Sequence, residues 1–422
     1  MLFVFGYFYD LVYVYTKLIS IAFFVLVVID HFLLYRGKKQ VFARRELPEK
    51  LSNGDINTIS VFIENNYRMP ISVTLIDEIP DQFQVRDFHY TIKLNPKGNK
   101  IITYTLRPVK RGEYSFGSLN LYVTSILGLV KRRFIFDKGT KVPVYPSFMQ
   151  MHKYELLAIS QQLPETGIKR MRKLGHSMEF ETIREYVPGD DPRSINWTAT
   201  ARKSNLMVNH FRDERSQQIY CIIDKGRTMQ LPFEGLSLLD YSINASLVLA
   251  NIALKKQDKA GLITFSDKMG AVLPADNKRT QLKSILETLY NQKTRYLESD
   301  YELLYARIRQ HIHQRALLVL FANFGSLEGL KRQMPYLRKI AVNHLLVIVF
   351  FVDTELDKLL NDRPTEVEGI YIKTIAEQFV LEKKQMVKEL ESVGIHTILI
   401  PPSKLTVAVI NKYLELKARM LI

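Results

Sequence analysis

The segment "QIYCIIDKGRTM", residues 218–229, indicates how the second half of the chain folds. Ile219–Ile223 form a continuous apolar run, which is typical of a strand covered on both faces of a sheet. The run ends in Asp224, and a turn follows it. "AGLITF", "RALLVLF", "NHLLVIVFF" and "IHTILI" repeat the strand pattern further along, with helical patterns between them. Strands that alternate with helices predict an α/β domain built on a parallel sheet.

Polar side chains follow several of these predicted strands. In parallel sheets of this kind, ligands bind beyond the carboxyl ends of the strands. We therefore expect a binding site at that edge of the sheet. The residues that the sequence places there are Asp224, Asp267, Asn323 and Asp353.

The turn after the first strand reads D-x-G-x-T, one step from the D-x-S-x-S metal turn of von Willebrand factor A-type domains. Gly226 stands where that turn has its first hydroxyl, and Asn323 stands where those domains place an acid. The second loop offers Ser299 or Asp300. Fewer charged ligands bind Mg²⁺ more weakly, so we expect weak Mg²⁺ binding or a turn that only caps a helix. The degenerate metal set is Asp224, Thr228, Ser299 and Asn323.

A second polar segment, "REYVPGDDPRSINWTATARK", covers residues 184–203 and contains the single tryptophan. Asp191 followed by Pro192 predicts a helix start. We interpret the segment as a clasp, with a buried Trp197 and ion pairs, that docks on the sheet domain, or as a clasp that also recognises a partner. A carboxylate site at Asp190 and Asp191 is the alternative, although no histidine lies nearby for acid–base chemistry. The motif residues are Arg184, Asp190, Asp191, Arg193, Trp197 and Arg202.

The first 35 residues, "MLFVFGYFYDLVYVYTKLISIAFFVLVVIDHFLLY", are mostly apolar and aromatic. Roughly 20 apolar residues cross a bilayer as a helix, so the stretch predicts a transmembrane anchor. Basic residues beside a span tend to stay in the cytoplasm, so we expect an inner-membrane protein whose soluble domains face the cytoplasm. The basic cluster comprises Arg36, Lys38, Lys39, Arg44, Arg45 and Lys50.

Short segments rich in Val, Ile, Thr, Tyr and Phe, separated by turn residues, predict an Ig-like β-sandwich between the anchor and the α/β domain. Pro143 and Pro146 lack the amide that a sheet ladder needs and should end the sandwich. The predicted order is anchor 1–35, basic linker 36–56, sandwich 57–146, linker with the motif 147–216, and α/β domain 217–422.

The net charge, the cysteine count and the lack of a phosphate-binding motif limit the possible functions of the protein. The chain has 59 Lys and Arg against 43 Asp and Glu, a formal charge of +16. Such a surplus suits nucleic acid, an anionic membrane or an acidic partner, and the cluster beside the anchor favours the membrane. The lone Cys221 excludes an internal disulfide, and its apolar strand predicts an inert buried thiol. A Gly-rich phosphate loop is missing from the sequence.

The motif "GHSMEFETIREYVPGDDPRSINWTATARKSNLMVNHFRDE", followed by "IIDKGRTM", resembles the "domain of unknown function 58" family. The resemblance implies a membrane segment, a β-sandwich, this motif and a von Willebrand A-like domain, in that order. It also implies a bacterial inner-membrane protein that works with a MoxR-type AAA+ ATPase. The matching positions are Gly175, Glu179, Phe180, Arg184, Tyr186, Gly189, Asp190, Arg193, Trp197 and Arg202.

Taken together, the residues and the resemblance predict a non-enzymatic, membrane-anchored adaptor. Its A-type domain would bind the ATPase or a client protein at the strand-end edge. The first alternative is a metal-dependent hydrolase that uses Asp224, Asp190 and Asp191. The second alternative is a basic nucleic-acid-binding protein, although we expect neither nucleic acid nor an organic cofactor.

Overall fold

The computed structural model describes residues 10–37, 40–137, 139–159, 178–188, 190, 192–203, 205–213, 216–352 and 367–421. The predicted residues that lie outside the described ranges are 1–9 of the anchor, Lys38, Lys39, Gly175, Gly189, Asp191 and Asp353. The chain divides into two compact units, Met1–Tyr145 and Pro146–Ile422.

The first unit begins with helix α1 (Asp10–Tyr35). Its stretch Tyr13–Tyr35 is long and apolar enough to cross a membrane, and most of its side chains are exposed. Asp30 and Leu34, one turn apart, are fully buried against the rest of the unit. The helix thus has an apolar outer surface and one fixed contact near its C-terminal end.

Ten strands follow α1 in the first unit. They are β1 (Val41–Glu46), β2 (Leu51–Ser52), β3 (Asn57–Asn65), β4 (Ile71–Asp77), β5 (His89–Leu94), β6 (Asn99–Leu106), β7 (Gly112–Phe116), β8 (Leu119–Thr124), β9 (Lys131–Phe136) and β10 (Thr140–Tyr145). The sheets have the orders β1-β3-β6, β2-β10-β7 and β5-β4-β8-β9. Alternate residues of β3 and β4 are buried, which is the pattern of sandwich strands with one face on a core.

The sandwich begins earlier than the sequence predicts. Val41–Glu46, expected in the basic linker, form β1 and pair with β3. Arg45, expected among the basic residues beside the membrane, is buried and forms an ion pair with Asp77. Val41, Ala43 and Arg45 are buried on one face, and the residues between them are exposed. This alternation is the pattern of a strand.

The second unit contains ten strands and eight helices within the residues that the structure describes. Its strands are β11 (Met178–Glu185), β12 (Met207–Asp213), β13 (Gln218–Asp224), β14 (Pro232–Phe233), β15 (Leu236–Ser237), β16 (Lys259–Phe265), β17 (Met269–Asp276), β18 (Leu317–Phe321), β19 (Leu345–Phe351) and β20 (His396–Ile400). Its helices are α2 (Phe148–Ile159), α3 (Trp197–Lys203), α4 (Leu238–Lys255), α5 (Gln281–Tyr290), α6 (Tyr301–His311), α7 (Leu327–Asn343), α8 (Val367–Ser392) and α9 (Leu405–Ala418).

The central sheet has the order β17-β16-β13-β18-β19-β20. Its members are parallel except β17, which pairs antiparallel with β16. The predicted parallel sheet is therefore a mixed sheet, because the chain turns back directly after β16 at Ser266–Lys268 instead of crossing over through a helix. The α/β architecture itself is confirmed.

Helices cover both faces of this sheet. Ile219, Cys221 and Ile223 of β13 point into a core shared with α4 and α9. Tyr220 and Ile222 point into the opposite core, shared with α6, α7 and α8. The continuous apolar run of β13 thus reflects burial on two faces. Burial raises the pKa of the Cys221 thiol to about 12, so this thiol is inert, as expected.

The segment expected to be a linker contributes a helix to this unit. Met151 of α2 is buried in the core that contains α4. The Ser147 amide donates to Asn244 Oδ1 (2.9 Å), and Glu155 pairs with Lys255 (2.8 Å). Residues 147–159 are thus packed on α4, since their helical spacing presents an apolar side to it.

Side chains fix where three helices begin. Ser237 and Asp240 form a capping box at α4. Asp300 accepts from the Leu303 amide at the start of α6, and Ser326 accepts from the Gly329 amide at the start of α7. Such caps satisfy amides that lack partners within the helix. Asp300 is therefore used as a cap, which leaves Ser299 to face Asp224.

Candidate functional site

Asp224 ends the central strand β13 at the carboxyl edge of the sheet, and its side chain is almost completely buried. The Gly226 amide donates to Oδ1 (2.7 Å), and Ser299 Oγ donates to the same oxygen. Tyr301 Oη lies 3.4 Å from Oδ2. Three groups, from the turn after β13, the loop before α6 and the first residue of α6, thus already surround the carboxyl group.

Burial raises the pKa of Asp224 to about 6, although the hydrogen bonds from Ser299, Gly226 and Tyr301 act in the opposite direction. Loss of hydration destabilises the ionised carboxylate by more free energy than the three hydrogen bonds stabilise it. A proton therefore competes for this carboxyl group up to nearly neutral pH.

Gly226 is glycine for a steric reason. Its φ of −67° and ψ of 174° are accessible to any residue. A Cβ at this position, however, would approach Ser299 Oγ to less than 3.0 Å and would lie 3.1 Å from Asp224 Oδ1. The Ser299 hydroxyl thus occupies the space beside Asp224 that a side chain at position 226 would need.

Asn323 follows β18 and contacts a lysine from α8. Lys383 Nζ donates to Asn323 Oδ1 (2.7 Å) and to the carbonyl oxygen of Phe324 (2.6 Å). The loop that was expected to offer an amide oxygen to a metal thus binds an ammonium group instead. This contact also ties the middle of α8 to the strand-end edge.

A cleft of about 150 Å³ opens at this edge. Asp224, Thr228, Ser299 and Asn323 all line it, so the structure brings the four sequence-predicted residues together. Cationic side chains stand around it. They are Arg227, which pairs with Glu298 at 3.2 Å, Arg332 of α7, and Lys383, which binds the cleft residue Asn323.

This donor set does not fit a resident Mg²⁺. Hard cations prefer several charged oxygen ligands, and Asp224 is the one buried carboxylate among the described residues that line the cleft. Ser299 and Asn323 already bind Asp224 and Lys383. The described residues also contain no group of three or more His, Cys, Asp or Glu placed to hold a metal.

Asp267, which follows β16, takes part in a separate ion pair. Both of its carboxylate oxygens lie 3.0 Å from Arg295 Nη1. The Arg295 amide also donates to the Lys225 carbonyl oxygen (2.7 Å). Asp267 therefore fastens the loop after α5 to the strand ends and does not join Asp224.

The motif segment forms an antiparallel hairpin, β11 with β12, that carries the short helix α3. Arg184 Nη2 donates to Asp190 Oδ1 (2.7 Å), and the Val187 amide donates to Asp190 Oδ2 (3.0 Å). Asp190 thus closes the turn that begins at Val187, directly after β11, and pairs with Arg184. Arg202 is exposed on α3, and Arg193 lies in the 3-10 turn Pro192–Ser194.

One expectation about this segment is wrong, and a second is confirmed only in part. Trp197 is 70% exposed, not buried, because it is the first residue of α3 and the hairpin packs against the other side of that helix. A 3-10 turn begins at Pro192, the predicted start, but the α-helix begins only at Trp197, where Asn196 Oδ1 caps it by accepting from the Ala199 amide (3.0 Å). Asn196 Nδ2 also donates to Asn209 Oδ1 (2.8 Å), which anchors the cap on β12.

Sequence reasoning missed Lys383, Tyr301 and Arg332 as neighbours of the site. Tyr301 comes two residues after Ser299. The argument that places the Ser299 loop at the strand-end edge could therefore have placed Tyr301 there too. Lys383 comes 60 residues after Asn323, in the middle of a helix rich in charged residues. Nothing in the sequence distinguishes it from the neighbouring lysine.

Comparison with known proteins places this site in a described family region. Residues 182–376 match the model of the family "Protein of unknown function DUF58". The chain is similar to the uncharacterized protein YeaD of Bacillus subtilis, with 27% identity over 195 residues that cover 46% of each chain. It is also similar to the uncharacterized protein Mb1516 of Mycobacterium bovis, with 21% identity over 181 residues, 42% of this chain and 56% of that one.

The chain thus spans about half the length of the curated relatives that it matches. Among solved structures, the CARDB domain of PF1109 from Pyrococcus furiosus covers 25% of this chain and 84% of its own, with 17% identity and a TM-score of 0.19. The matched family region contains both the motif hairpin from residue 182 and the Asp224 cleft.

Proposed function

We propose that the protein is a membrane-anchored adaptor that binds a protein partner at the Asp224 cleft and the adjoining surface of α8. The observation that carries this proposal is the apolar surface of α8. Val367, Tyr371, Ile375 and Phe379 are exposed and spaced four residues apart, so they lie along one side of the helix. Exposed apolar surface of this kind marks protein interaction sites.

Lys383 connects that surface to the cleft, because the same helix binds Asn323 and Phe324. The cationic rim, with Arg227, Arg332 and Lys383, favours an acidic group on the partner. Asp224 would then hold its loops in place rather than act as a ligand, since Gly226, Ser299 and Tyr301 already donate to it.

A turn at the end of a central parallel strand supports describing this unit as von Willebrand A-like. The resemblance to the domain of unknown function 58 family suggests a MoxR-type AAA+ ATPase, or its client, as the partner. In the membrane, α1 would form the anchor, and the basic residues after it would keep both units on the cytoplasmic side of the inner membrane.

The observations favour this function over the two alternatives. A metal-dependent hydrolase would need free carboxylates around one metal, whereas Asp190 is bound to Arg184 and to the Val187 amide. Nucleic-acid binding would need the basic surplus on a surface, whereas Arg45 is buried with Asp77 and Arg132 donates to the Leu34 carbonyl oxygen of α1.

The test uses the full chain in detergent and a purified MoxR-type ATPase from the same source. Tyr371→Glu and Arg332→Glu should each reduce recovery of the ATPase, with or without EDTA. Val342→Glu is the matched control, because Val342 is an exposed apolar residue on the neighbouring helix α7. Equal recovery by Tyr371→Glu and Val342→Glu would refute the proposed surface.

Calorimetric titration tests the metal separately. We expect no Mg²⁺ or Mn²⁺ binding tighter than about millimolar, the weak end for hard cations. Tighter binding, together with loss of ATPase recovery in EDTA, would show that the adaptor depends on a metal and would revive the metal-dependent alternative.

A further inference from the structure

The end of α1 is fastened to the sandwich by a buried carboxylate. Asp30 accepts from the Leu129 amide (2.9 Å), from the Val130 amide (2.8 Å) and from Ser125 Oγ. All three donors belong to the loop between β8 and β9, residues 125–130. An aspartate in an apolar helix is costly unless it is satisfied, and this loop satisfies it.

A second set of contacts fixes the same junction one turn further on. The Leu34 carbonyl oxygen accepts from Tyr67 Oη (2.6 Å) and from Arg132. Arg132 also donates to the Gly37 carbonyl oxygen (2.9 Å) and lies 4.7 Å from the ring centre of Tyr35. The β8–β9 loop is therefore held beside α1 at the level of Asp30.

The tip of this loop is apolar on the outside. Ile126 is 75% exposed, Leu127 43% and Leu129 41%, whereas Ser125 is buried toward Asp30. A loop that faces water usually shows the opposite arrangement, with polar side chains outward. On α1, Phe32 and Leu33 near the same level are also exposed. Exposed apolar side chains thus occur on both the loop and the neighbouring turn of α1.

The level of the loop relative to a bilayer follows from helix geometry. At a rise of about 1.5 Å per residue, Asp30 lies about 7.5 Å before Tyr35, the last residue of the apolar stretch. The 23 residues of Tyr13–Tyr35 extend about 35 Å, slightly more than the hydrocarbon thickness of about 30 Å. If α1 spans the bilayer, the loop at the level of Asp30 is therefore close to the boundary between headgroups and acyl chains.

We propose that the β8–β9 loop inserts into the bilayer surface beside α1 and is a second membrane attachment of the protein. Ile126, Leu127 and Leu129 would enter the boundary between headgroups and acyl chains, as interfacial apolar side chains do. The exposed Lys131 and Arg36, at the adjoining ends of β9 and α1, would meet anionic headgroups. The inference rests on α1 being the membrane anchor of the proposed function.

The experiment places an environment-sensitive fluorophore on single introduced cysteines in the full chain, reconstituted into phosphatidylcholine–phosphatidylglycerol vesicles. Cys221 can stay, because it is buried and burial raises its pKa. Leu127→Cys reports on the loop, and Phe24→Cys reports on the middle of α1. Val85→Cys is the matched control: Val85 is exposed and apolar, and it lies beyond the opposite ends of β4 and β8.

Spin-labelled lipids with a nitroxide near the headgroup should quench the Leu127 label at least about fivefold more than the Val85 label, if insertion reaches the usual 5–10 Å. Lipids with a deep nitroxide should quench the Phe24 label. A quenched Phe24 label with Leu127 behaving like Val85 would overturn the inference and leave the anchor intact. An unquenched Phe24 label would overturn both.

A second variant tests whether Asp30 sets the depth of the loop. Asp30→Asn keeps the shape of the side chain and loses its charge, so its bonds to the loop amides weaken. We expect weaker quenching at Leu127 and unchanged quenching at Phe24. Unchanged quenching at both positions would contradict the role of Asp30 in holding the loop at the surface.

Discussion

Ser299 Oγ occupies the space that a side chain at position 226 would need, and both residues donate to the same oxygen of Asp224. The hydroxyl beside this oxygen therefore comes from the loop before α6 and not from the turn after β13. The two positions form a matched pair, because a larger residue at one requires a smaller residue at the other.

Gly226→Ala should destabilise the chain by about 1–3 kcal/mol, the usual cost of adding a methyl group to a packed site. Unfolding of the full chain in detergent, followed by circular dichroism against temperature, measures it. Gly325→Ala is the control, because a Cβ there meets nothing within 4 Å. In a Ser299→Ala background the cost of Gly226→Ala should fall, and an equal cost in both backgrounds would show that Ser299 is not the obstacle.

Asp224 should make stability decrease as pH rises. The folded chain keeps the proton on this carboxyl group up to about pH 6, whereas the ordinary pKa of the group is 3.8. The contribution is complete below pH 3.8 and is lost as pH rises through 6, by about 3 kcal/mol at about 1.4 kcal/mol per pKa unit.

Asp224→Asn is the variant that isolates this effect, since an amide oxygen can still accept from Gly226 and Ser299. The thermal midpoints of the original chain and the variant should be similar near pH 4. At pH 7 the variant should be the more stable. A constant difference between pH 4 and 8 would mean that Asp224 titrates normally.

Trp197→Ala should change stability little. Substitutions at exposed positions are usually within about 0.5 kcal/mol, far below the cost of truncating a buried aromatic residue. Val187→Ala, at another exposed apolar position of the motif hairpin, serves as the comparison. If Trp197→Ala also loses the ATPase while Val187→Ala keeps it, Trp197 is part of an interface. A large fall in thermal midpoint would instead mean that the indole is buried in solution.

Asp77→Asn should destabilise the sandwich by about 3–5 kcal/mol, because it leaves the buried guanidinium of Arg45 without its counter-charge. Tyr104 also donates to Asp77 and would lose a charged acceptor. Glu113→Gln, which breaks the exposed pair with Lys141, is the control and should cost less than about 1 kcal/mol. Similar midpoints for the two variants would show that the buried pair contributes no more than a surface pair.

The sequence predicts the α/β architecture and the apolar helix because both depend on long, regular patterns. The run Ile219–Ile223 could be recognised from composition alone, and so could the strand-end position of Asp224. The early start of the sandwich was missed because "VFARRE" in β1 looks like part of a basic linker. Its alternation is visible only when Arg45 is allowed to be a core residue, which requires knowing that Asp77 is opposite it.

Only part of the candidate site could be predicted from the sequence. Asp224, Thr228, Ser299 and Asn323 were placed at one edge by the general rule for strand ends, and all four line the cleft. The lysine that binds Asn323 belongs to a different element, and only the packing of α8 on the sheet brings it there. Trp197 was misplaced because a lone tryptophan suggests a core, while burial depends on which side of α3 meets the hairpin.

The attachment of α8 through Lys383 gives that helix the geometry of a lever. Its first residue, Val367, lies about 24 Å from Lys383 at the helical rise of about 1.5 Å per residue, so a rotation of about 10° about the lysine would displace that end by about 4 Å. A partner that binds Tyr371 or Ile375 and tilts α8 would therefore also displace the loop at Asn323, which Lys383 binds. The same helix also packs on the sheet through the buried Met386 and Leu390, so a displacement of its first turns would reach the edge of the sheet through the core as well as through Lys383.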